Sequence, residues 1–477
     1  MLKDSHTNWL MLATMMLASF MTGIGNRIFG VSLPTIATGL GTDLVGISWA
    51  VIAFQIGTVG FSLVFGRLGD LYGRRRIHLL GLLVFTAGTL IGAFAESLTQ
   101  LMVCRLLQGL AAALIQSQGR VLAMQAVPRN AAGKAQGFIS TAHNSGFLLG
   151  PSLGGFVVDS FNWRGIFVAI LPIGVAGSSL AWLNHRRSGA ESSPAPTKGA
   201  PSVDYLGAVL LVVTTLLLVV TLDRRVAEIV PPGWRAVASM GLVISFVAFV
   251  LRERTTESPI LDLSLFRIPM FVLASLGLLL VAVVQSITIF LLPFYLQDVL
   301  LLSPSFIGIL FMSAPLFTVL LSPFGGAISD RFGPRLPTTL GVLLFGLATT
   351  LGVALRVESH WALPALMLAV GGLAGSLFFP PNHTSMIGSV PERNRGVATG
   401  AVVTLFGLSN VLGIALANVL MSVVFKLQTG LVTPSPAHPS AFVGAINVTF
   451  AVGVGVCVVA LILSFFQPGI VRGEKGH

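Results

Sequence analysis

The sequence predicts an all-α membrane protein with fourteen transmembrane helices, on the basis of three observations. Charged residues make up only 9% of the 477 residues and hydrophobic residues 54%, whereas a soluble domain carries about 25% charged residues. Apolar stretches recur along the chain, and about 20 apolar residues suffice for a helix to cross the hydrocarbon core. The basic residues cluster in the short polar breaks between these stretches. Lipid is therefore the predicted solvent for most of the chain.

The apolar stretches fall into three blocks. Six of them precede a polar segment rich in Ser, Pro, Gly and Ala, which is typical of a linker; two follow the linker, and six more complete the chain. This order predicts an N-terminal six-helix bundle at 1–185, a cytoplasmic linker at 186–204, an extra pair of transmembrane helices with its loop at 205–269, and a C-terminal six-helix bundle at 270–477. The predicted spans are 10–35, 46–65, 78–95, 99–126, 135–158, 164–184, 205–221, 236–251, 270–296, 305–326, 337–355, 361–388, 397–425 and 441–466.

The lysines and arginines predict the orientation of these spans. Nineteen of the 28 lie in loops on the side of the N-terminus, six lie in loops on the opposite side, and three lie within spans. Because cytoplasmic loops carry the excess of basic residues, this bias predicts that both termini are cytoplasmic. The formal net charge of +11 therefore indicates membrane topology rather than binding to nucleic acid.

The sequence carries no signature of an enzyme. It contains no phosphate-binding P-loop, no nucleophile elbow with a Ser-His-Asp set and no metal-ligand cluster. Cys104 and Cys457 both lie in apolar stretches, so we expect them to be packing residues. We expect no catalytic activity, no cofactor and no metal.

A charged motif occurs twice. The stretch GRLGDLYGRRRIHLLG at 66–81 has a weaker counterpart in GGAISDRFGPRLPTTLG at 325–341, and each follows the second span of a six-span block. Two matched blocks of this kind are a common architecture of transporters. The motif predicts a latch, in which the acid accepts hydrogen bonds or pairs with an arginine in one conformation; a tight positive turn is the alternative for a single copy. The predicted latch residues are Gly66, Asp70, Gly73, Arg74, Asp330, Arg331 and Arg335.

Several motifs together resemble the major facilitator superfamily. The pattern G-x-L-x-D-x-x-G-R-R-R is similar to its loop 2–3 signature, RLLQGLAAAL at 105–114 to its helix-4 motif, and GFLLGPSLGGFVVD at 146–159 to its helix-5 antiporter motif. NWRGIFVAILPIG at 162–174, VSLPTI at 31–36 and the extra helix pair resemble the fourteen-span drug:proton antiporter subfamily. The resemblance implies the major facilitator fold, with two six-helix bundles around a cavity that opens alternately to each side of a bacterial inner membrane. The helix-5 motif residues are Gly146, Gly150, Pro151, Gly154 and Gly155.

The first span departs from the pattern of that subfamily. The resemblance implies an Asp about nine residues before the Leu-Pro of VSLPTI, but Gly25 stands there, beside Asn26 and Arg27. All seventeen Asp and Glu residues fall in loops or at span ends. An exporter of lipophilic cations is expected to hold a buried carboxylate, and the sequence offers none.

The bases within the spans predict a different substrate. A charged group near the bilayer centre costs at least about 2.5–3.5 kcal/mol, so it normally faces a cavity. The planar guanidinium of arginine suits carboxylate and phosphate. The alternatives are that Arg27 bonds to backbone carbonyls at the outer edge and that Arg120 extends to the interface. The predicted substrate-binding residues are Arg27, Arg120, Gln116, Asn26, Asn144 and Asn382.

Three residues are candidates for proton coupling. His143 shares a helix face with the helix-5 glycines, and His383 follows Pro380 and Pro381, which are expected to disturb their helix. Histidine titrates in the physiological range, so either one is a candidate carrier of a coupled proton. A polar residue packed between helices is the alternative for both. The family resemblance implies a proton relay through Arg105, which could instead bond to nearby carbonyls.

These observations predict a secondary transporter that works by alternating access. We expect a proton-coupled exporter of amphipathic compounds, with anionic or zwitterionic substrates such as lipids or organic acids. The alternatives are multidrug efflux of lipophilic cations, and proton-independent uptake or exchange of an organic anion. The expected partners are a small-molecule substrate, protons and membrane lipids, with no nucleic acid, and the chain is expected to be a monomer.

Overall fold

The computed structural model describes residues 7–128, 132–187, 204–222, 232–256, 259, 263–391 and 395–467. Every regular element in these ranges is helical, which confirms the predicted fold class. Most of the predicted linker, 188–203, lies outside the described residues. The helices are α1 (Trp9–Val31), α2 (Leu33–Gly39), α3 (Leu44–Tyr72), α4 (Arg74–Ala93), α5 (Leu98–Gln125), α6 (Ala132–Ser160), α7 (Gly165–Arg187), α8 (Tyr205–Leu222), α9 (Pro232–Thr255), α10 (Pro269–Phe294, continued by a π-helical turn at Tyr295–Val299), α11 (Pro304–Phe332), α12 (Arg335–Val353), α13 (Ala362–Gly388), α14 (Arg395–Thr429) and α15 (Pro439–Phe465), with a 3₁₀-helix at Leu263–Arg267.

Thirteen of the described helices are long and apolar enough to cross a membrane. The remaining long helix, α6, has 29 residues but carries polar side chains along its first half, including Lys134, Gln136, His143 and Asn144. These long helices correspond one to one with the fourteen predicted spans. The polar residues of α6 require neighbours other than lipid.

The first predicted span is interrupted in the structure. Helix α1 ends at Val31, and the short α2 begins at Leu33 with Pro34 in its first turn. Proline has no backbone N–H to donate, so it fits best in the first turn of a helix, where that N–H has no partner within the helix. The hydroxyl of Ser32 donates to the backbone oxygen of Ile28 at 3.0 Å, which satisfies a carbonyl at the end of α1.

The chain divides into two packed units, one formed by 1–212 with 303–309 and the other by 213–302 with 310–477. In the first unit, α5 carries a fully buried run of small residues, Ala111, Ala112 and Ala113, which allows neighbouring helices to approach closely. The second unit has an apolar core that includes Phe271, Leu278, Phe345, Phe378 and Ala401.

Candidate functional site

The glycines of the helix-5 motif bring α6 against α1 in the first unit. A Cβ atom built on Gly146 would lie 2.7 Å from the backbone nitrogen of Ile24, and one on Gly150 would lie 2.9 Å from the Cβ atom of Arg27. A Cβ atom on Gly154 would lie 2.8 Å from the backbone oxygen of Ile28. Only glycine permits this approach of the two backbones. The close contact places the side chains of α6 directly over the part of α1 that contains Arg27.

The C-terminal half of the same motif meets the start of α11, which belongs to the same unit. A Cβ atom on Gly155 would lie 2.6 Å from the backbone carbon of Pro304, and one on Gly308 would lie 2.9 Å from that of Pro151. The backbone nitrogen of Ser305 donates to Oδ2 of Asp159 at 2.8 Å. The carboxylate that ends the motif therefore caps the first turn of α11.

Arg27 lies against an aromatic side chain of α6. The Cζ atom of its guanidinium stands 4.5 Å from the ring centroid of Phe147, which is a cation–π contact. The ring of Phe147 also packs against His143, with 4.8 Å between the centroids. Nδ1 of His143 lies 3.2 Å from the backbone oxygen of Ser19. One face of α6 thus presents a histidine and a phenylalanine to the arginine of α1.

A second arginine, Arg120 on α5, lies against the same helix, α6. The Arg120 side chain is exposed, and its backbone oxygen accepts a hydrogen bond of 2.9 Å from Nε2 of Gln136. Among the described residues, no carboxylate makes a hydrogen bond or an ion pair with these three bases. Arg27, Arg120 and His143 are called the basic cluster below.

The polar residues predicted to bind substrate beside this cluster are exposed or only partly buried. Gln116 and Asn144 are exposed, and Asn26 is partly buried. Gln116 precedes Arg120 by one helical turn, which puts both on one face of α5. Their part in binding stays a prediction.

Arg105 occupies a separate, closed site in the first unit. Its side chain is only 2% exposed and lies between two phenyl rings, with its Cζ atom 4.2 Å from the centroid of Phe29 and 4.3 Å from that of Phe54. Nη1 donates to Oε1 of Gln108 at 2.9 Å and to the backbone oxygen of Gly25 at 3.4 Å. This bond to a carbonyl is the alternative that the sequence left open for Arg105, and the proton relay stays a prediction.

The missing acid of the first span has a structural explanation at Gly25. A Cβ atom at this position would lie 2.9 Å from Cζ of Phe85, on α4. The backbone oxygen of Gly25 is also the one that accepts the bond from Arg105. A side chain here would displace the phenyl ring, so the position that holds an acid in the resembling subfamily is filled by packing.

The two copies of the charged motif form the same turn. Helix α3 is followed by Gly73, with φ of +94°, and α11 by Gly333, with φ of +86°. These backbone angles favour glycine. The backbone nitrogen of each glycine donates to the residue four positions earlier, Gly69 at 3.0 Å and Ser329 at 2.8 Å. The internal repeat is therefore present at the level of backbone geometry.

The acids of the predicted latch cannot be placed in the same way. The side chains of Asp70 and Asp330 lie outside the described residues, so their pairing stays a prediction. Arg331 is exposed and lies against its neighbour Phe332, 5.3 Å from the ring centroid; Arg335 is also exposed.

Gln118, which the sequence did not single out, holds the first copy of the motif. Its Nε2 atom donates to the backbone oxygen of Phe65 at 2.6 Å and to that of Gly66 at 3.4 Å. Its Oε1 atom accepts a bond of 3.4 Å from Nη1 of Arg74. The side chain lies so close to Gly69 that a Cβ atom there has no room. The available signal was a glutamine on the face of α5 opposite to Gln116.

The second unit places Asn382 and His383 among packed helices. Asn382 is fully buried and donates from Nδ2 to the backbone oxygen of Ala274 at 3.0 Å, linking α13 to α10. Its Oδ1 atom and Nε2 of His383 have no hydrogen-bond partner in the described structure. The His383 ring packs against Phe379 at 6.0 Å between centroids. Asn382 thus fits a packing role, and both assignments stay predictions.

The two prolines predicted to disturb this helix do not end it. Helix α13 continues through Pro380 and Pro381. A proline at 380 cannot donate to the carbonyl of Ser376, and Gly325 of α11 packs directly on that carbonyl. The neighbouring helix therefore covers the backbone that the proline leaves without its usual partner.

Comparisons with known proteins agree with this architecture. The family model of the Major Facilitator Superfamily matches residues 15–272 and 274–476. The riboflavin transporter RibZ of Clostridioides difficile (strain 630) is 28% identical over 460 residues, which cover 96% of this chain and 97% of the relative. MdtD of Salmonella heidelberg (strain SL476), a protein named for multidrug resistance, is 27% identical over 436 residues, covering 91% of this chain and 90% of the relative.

Solved structures share the fold at lower identity. The inward-facing, unoccupied structure of a bacterial homolog of the human lysosomal transporter Spinster superposes with a TM-score of 0.69 at 16% identity, over 96% of both chains. A POT-family peptide transporter in complex with sulfate superposes with a TM-score of 0.67 at 17% identity, over 98% of this chain and 96% of the other. These proteins are transporters rather than enzymes. The chain is an integral membrane protein and belongs to the Major Facilitator Superfamily of secondary transporters.

Proposed function

We propose that this transporter moves amphipathic organic anions or zwitterions, and that the basic cluster binds their negatively charged group. The observation that carries the proposal is that Arg27 and His143 pack on the same ring, that of Phe147, with Arg120 against the same helix and no described carboxylate bonded to any of the three. Bases inside a membrane protein are expensive unless they are paired. An anionic cargo supplies the charge that the protein does not.

The surroundings of Arg27 explain why the cargo is amphipathic. A guanidinium binds a carboxylate, sulfonate or phosphate through two parallel hydrogen bonds, and Phe147 beside it offers an aromatic face. A cargo that carries a charged group next to an apolar body therefore fits beside Arg27 and Phe147. An isolated inorganic anion would use only the first of these two features.

We further propose that the chain is a fourteen-span protein of the drug:proton antiporter subfamily, in a bacterial inner membrane with both termini cytoplasmic. The fourteen long helices, the extra pair α8 and α9 and the positive bias of the N-terminal side support this assignment. The named relatives are bacterial proteins.

The repeated turns at Gly73 and Gly333 act as latches during alternating access, and protons are coupled through His143.

Riboflavin is a second candidate cargo. The specific support is the relative RibZ, which aligns with almost the whole chain at 28% identity. Riboflavin combines a flat aromatic ring with a polar side chain and is neutral at pH 7. On this alternative, Arg27 donates hydrogen bonds to ring carbonyls instead of neutralising a charge.

Transport by purified protein in liposomes distinguishes these cargoes. The wild-type protein is given naphthalene-1-sulfonate, a lipophilic cation such as tetraphenylphosphonium, or riboflavin, with and without an imposed pH gradient. Our proposal predicts transport of the sulfonate and not of the cation. Transport of the cation alone rejects the proposed substrate class, and transport of riboflavin without the sulfonate supports the second candidate.

A further inference from the structure

We propose that the anionic cargo binds to the first unit in two steps. Arg120 and Lys134 capture it at the end of the unit where α1 begins, and it then moves along α6 to Arg27. This inference rests on the proposed anion site and deepens it, because it assigns the bases to successive positions. It also assigns the side of loading, which in the predicted orientation is the cytoplasmic side and agrees with export.

The capture position lies where three helix ends meet. One buried apolar cluster joins the start of α1, the end of α5 and the start of α6, and it includes Met11, Leu122, Ala126 and Ala135. Nε2 of Gln136 donates to the backbone oxygen of Arg120 at 2.9 Å, and Lys134 stands two positions before Gln136 on α6. The side chains of Arg120 and Lys134 are both exposed. Two positive charges are therefore accessible to solvent at this end.

Arg27 binds at a different level of the same helix. Its guanidinium lies 4.5 Å from the ring centroid of Phe147. Phe147 follows Gln136 by about three helical turns, which is about 16 Å along the axis of α6. Along α1, Arg27 follows Met11 by about 24 Å. Both helices thus place Arg27 far from the end that carries Lys134, so the two positions are separate.

A stripe of exposed polar side chains runs between these positions. On α6, Lys134, Thr141 and Asn144 are exposed and share one face at helical spacing. On α5, Gln116 is exposed one turn before Arg120. Polar side chains within membrane spans face water or other protein groups rather than lipid. Their exposure therefore indicates that the stripe faces water.

The charge along the stripe favours an anion over a cation. Helix α5 contains no Asp or Glu, and the only one in α6, Asp159, lies at the opposite end of that helix. An anion is attracted at the capture position and meets the hydrogen-bond donors of Thr141 and Asn144 on its way. Asn144 precedes Phe147 by less than one turn, which brings the stripe to the ring that supports Arg27.

Binding kinetics distinguish the two positions. The probe is naphthalene-1-sulfonate, whose fluorescence reports its binding to purified full-length protein in a stopped-flow instrument. The double variant Arg120→Gln/Lys134→Gln should lower the association rate constant about tenfold at low salt and leave the dissociation rate constant unchanged. The difference from wild type should shrink at about 0.5 M salt, where charges are screened. Arg27→Gln should instead raise the dissociation rate constant.

Two further double variants serve as controls. Arg186→Gln/Arg254→Gln removes two positive charges from exposed positions outside the stripe and should associate as wild type. Arg120→Lys/Lys134→Arg exchanges the two side chains and keeps both charges, so it should also associate at nearly the wild-type rate. This second control separates the loss of charge from a disturbance of folding.

The outcomes separate this inference from the proposed function. Equal association rates for Arg120→Gln/Lys134→Gln and wild type overturn the capture position and leave the anion site at Arg27 standing. Equal slowing by Arg186→Gln/Arg254→Gln attributes the effect to net charge and also overturns it. Faster dissociation from Arg120→Gln/Lys134→Gln, as from Arg27→Gln, shows a single position. Failure of the wild-type protein to bind the sulfonate rejects the proposed anion site, and the two steps with it.

Discussion

At the scale of single residues, the proposed chemistry depends on the pair formed by Arg27 and Phe147. The guanidinium rests on the phenyl ring at 4.5 Å, so the side chain is held in place by a contact that leaves its hydrogen-bond donors available. A carboxylate partner would have consumed those donors. An aromatic support therefore suits an arginine that must receive an external anion.

Removal of the aromatic ring should weaken binding moderately. Phe147→Leu keeps an apolar side chain but loses the cation–π contact, which is worth about 0.5–2 kcal/mol. We expect about a 2- to 30-fold loss of affinity for naphthalene-1-sulfonate in a fluorescence titration. Phe156→Leu, at an exposed position on the same helix, is the matched control and should bind as wild type; equal binding by both variants would show that the ring does not support Arg27.

Gly25 is expected to be intolerant of any side chain. Gly25→Ala would place a methyl group 2.9 Å from Cζ of Phe85, and overpacking of this kind typically costs about 1–3 kcal/mol. We expect a lower melting temperature in detergent, partly restored by a second change, Phe85→Leu. Gly30→Ala, in the same helix with open space around it, should leave the melting temperature unchanged or higher. An equal effect of both alanines would contradict the packing explanation for the missing acid.

Arg27 and the vacant acid position are evident from the sequence, but the residues that surround them in the structure are not. A charged residue in an apolar span is conspicuous, whereas Phe147 is one of 32 phenylalanines and nothing in its neighbourhood distinguishes it. Gln118 could not be predicted because its Nε2 atom donates to backbone oxygens of α3, and backbone partners leave no pattern in the sequence.

At the scale of helices, the approach of α6 to α1 assembles the basic cluster. The three glycines of α6 that face α1 occur at a spacing of four residues, Gly146, Gly150 and Gly154. This spacing keeps them on one face of the helix. The antiporter motif therefore has a direct packing role here, whatever its part in the transport cycle.

A methyl group in this contact should separate the two helices. Gly146→Ala would place its Cβ atom 2.7 Å from the nitrogen of Ile24, and backbone cannot move aside as a flexible side chain does. We expect a lower melting temperature and a weaker affinity for the sulfonate probe. Gly137→Ala, on the same helix with nothing within 4 Å, should change neither property. Retention of full affinity by Gly146→Ala would show that the cluster does not require this contact.

The contact between Gln118 and α3 should order the first latch turn. Gln118→Leu removes the donor to the oxygens of Phe65 and Gly66 and the acceptor for Arg74. Hydrogen exchange followed by mass spectrometry should show faster exchange of peptides covering 66–74. Gln116→Leu, on the opposite face of α5, is the control and should leave this exchange unchanged; equal exchange in both variants would remove Gln118 from the latch.

Helix positions were predicted well, because length and hydropathy alone determine whether a segment can span a bilayer. The prolines are less predictable. Pro34 lies in the first turn of α2, which is separate from α1, while Pro380 and Pro381 leave α13 continuous. The carbonyl that Pro380 leaves without its usual partner is covered by Gly325, more than fifty residues away in the sequence.

At the scale of the whole molecule, the chain combines an ordinary transporter architecture with unusual electrostatics. Both copies of the charged motif end a helix with the same glycine turn, as expected for matched halves. The first unit, however, gathers bases where the resembling subfamily carries an acid. Fold and family thus follow from features shared with many transporters, whereas the proposed substrate class rests on the few residues that depart from them.

The most direct test of the central claim is the affinity of purified protein for an amphipathic anion with and without Arg27. Charge-assisted hydrogen bonds are worth about 1.5–3 kcal/mol, so Arg27→Gln should weaken binding of naphthalene-1-sulfonate by about 10- to 100-fold, while Arg27→Lys should retain part of it. Arg186→Gln, which removes an arginine that also rests on an aromatic ring, that of Trp182, should bind as wild type. Equal affinities of Arg27→Gln and wild type would contradict the claim that this arginine receives the cargo.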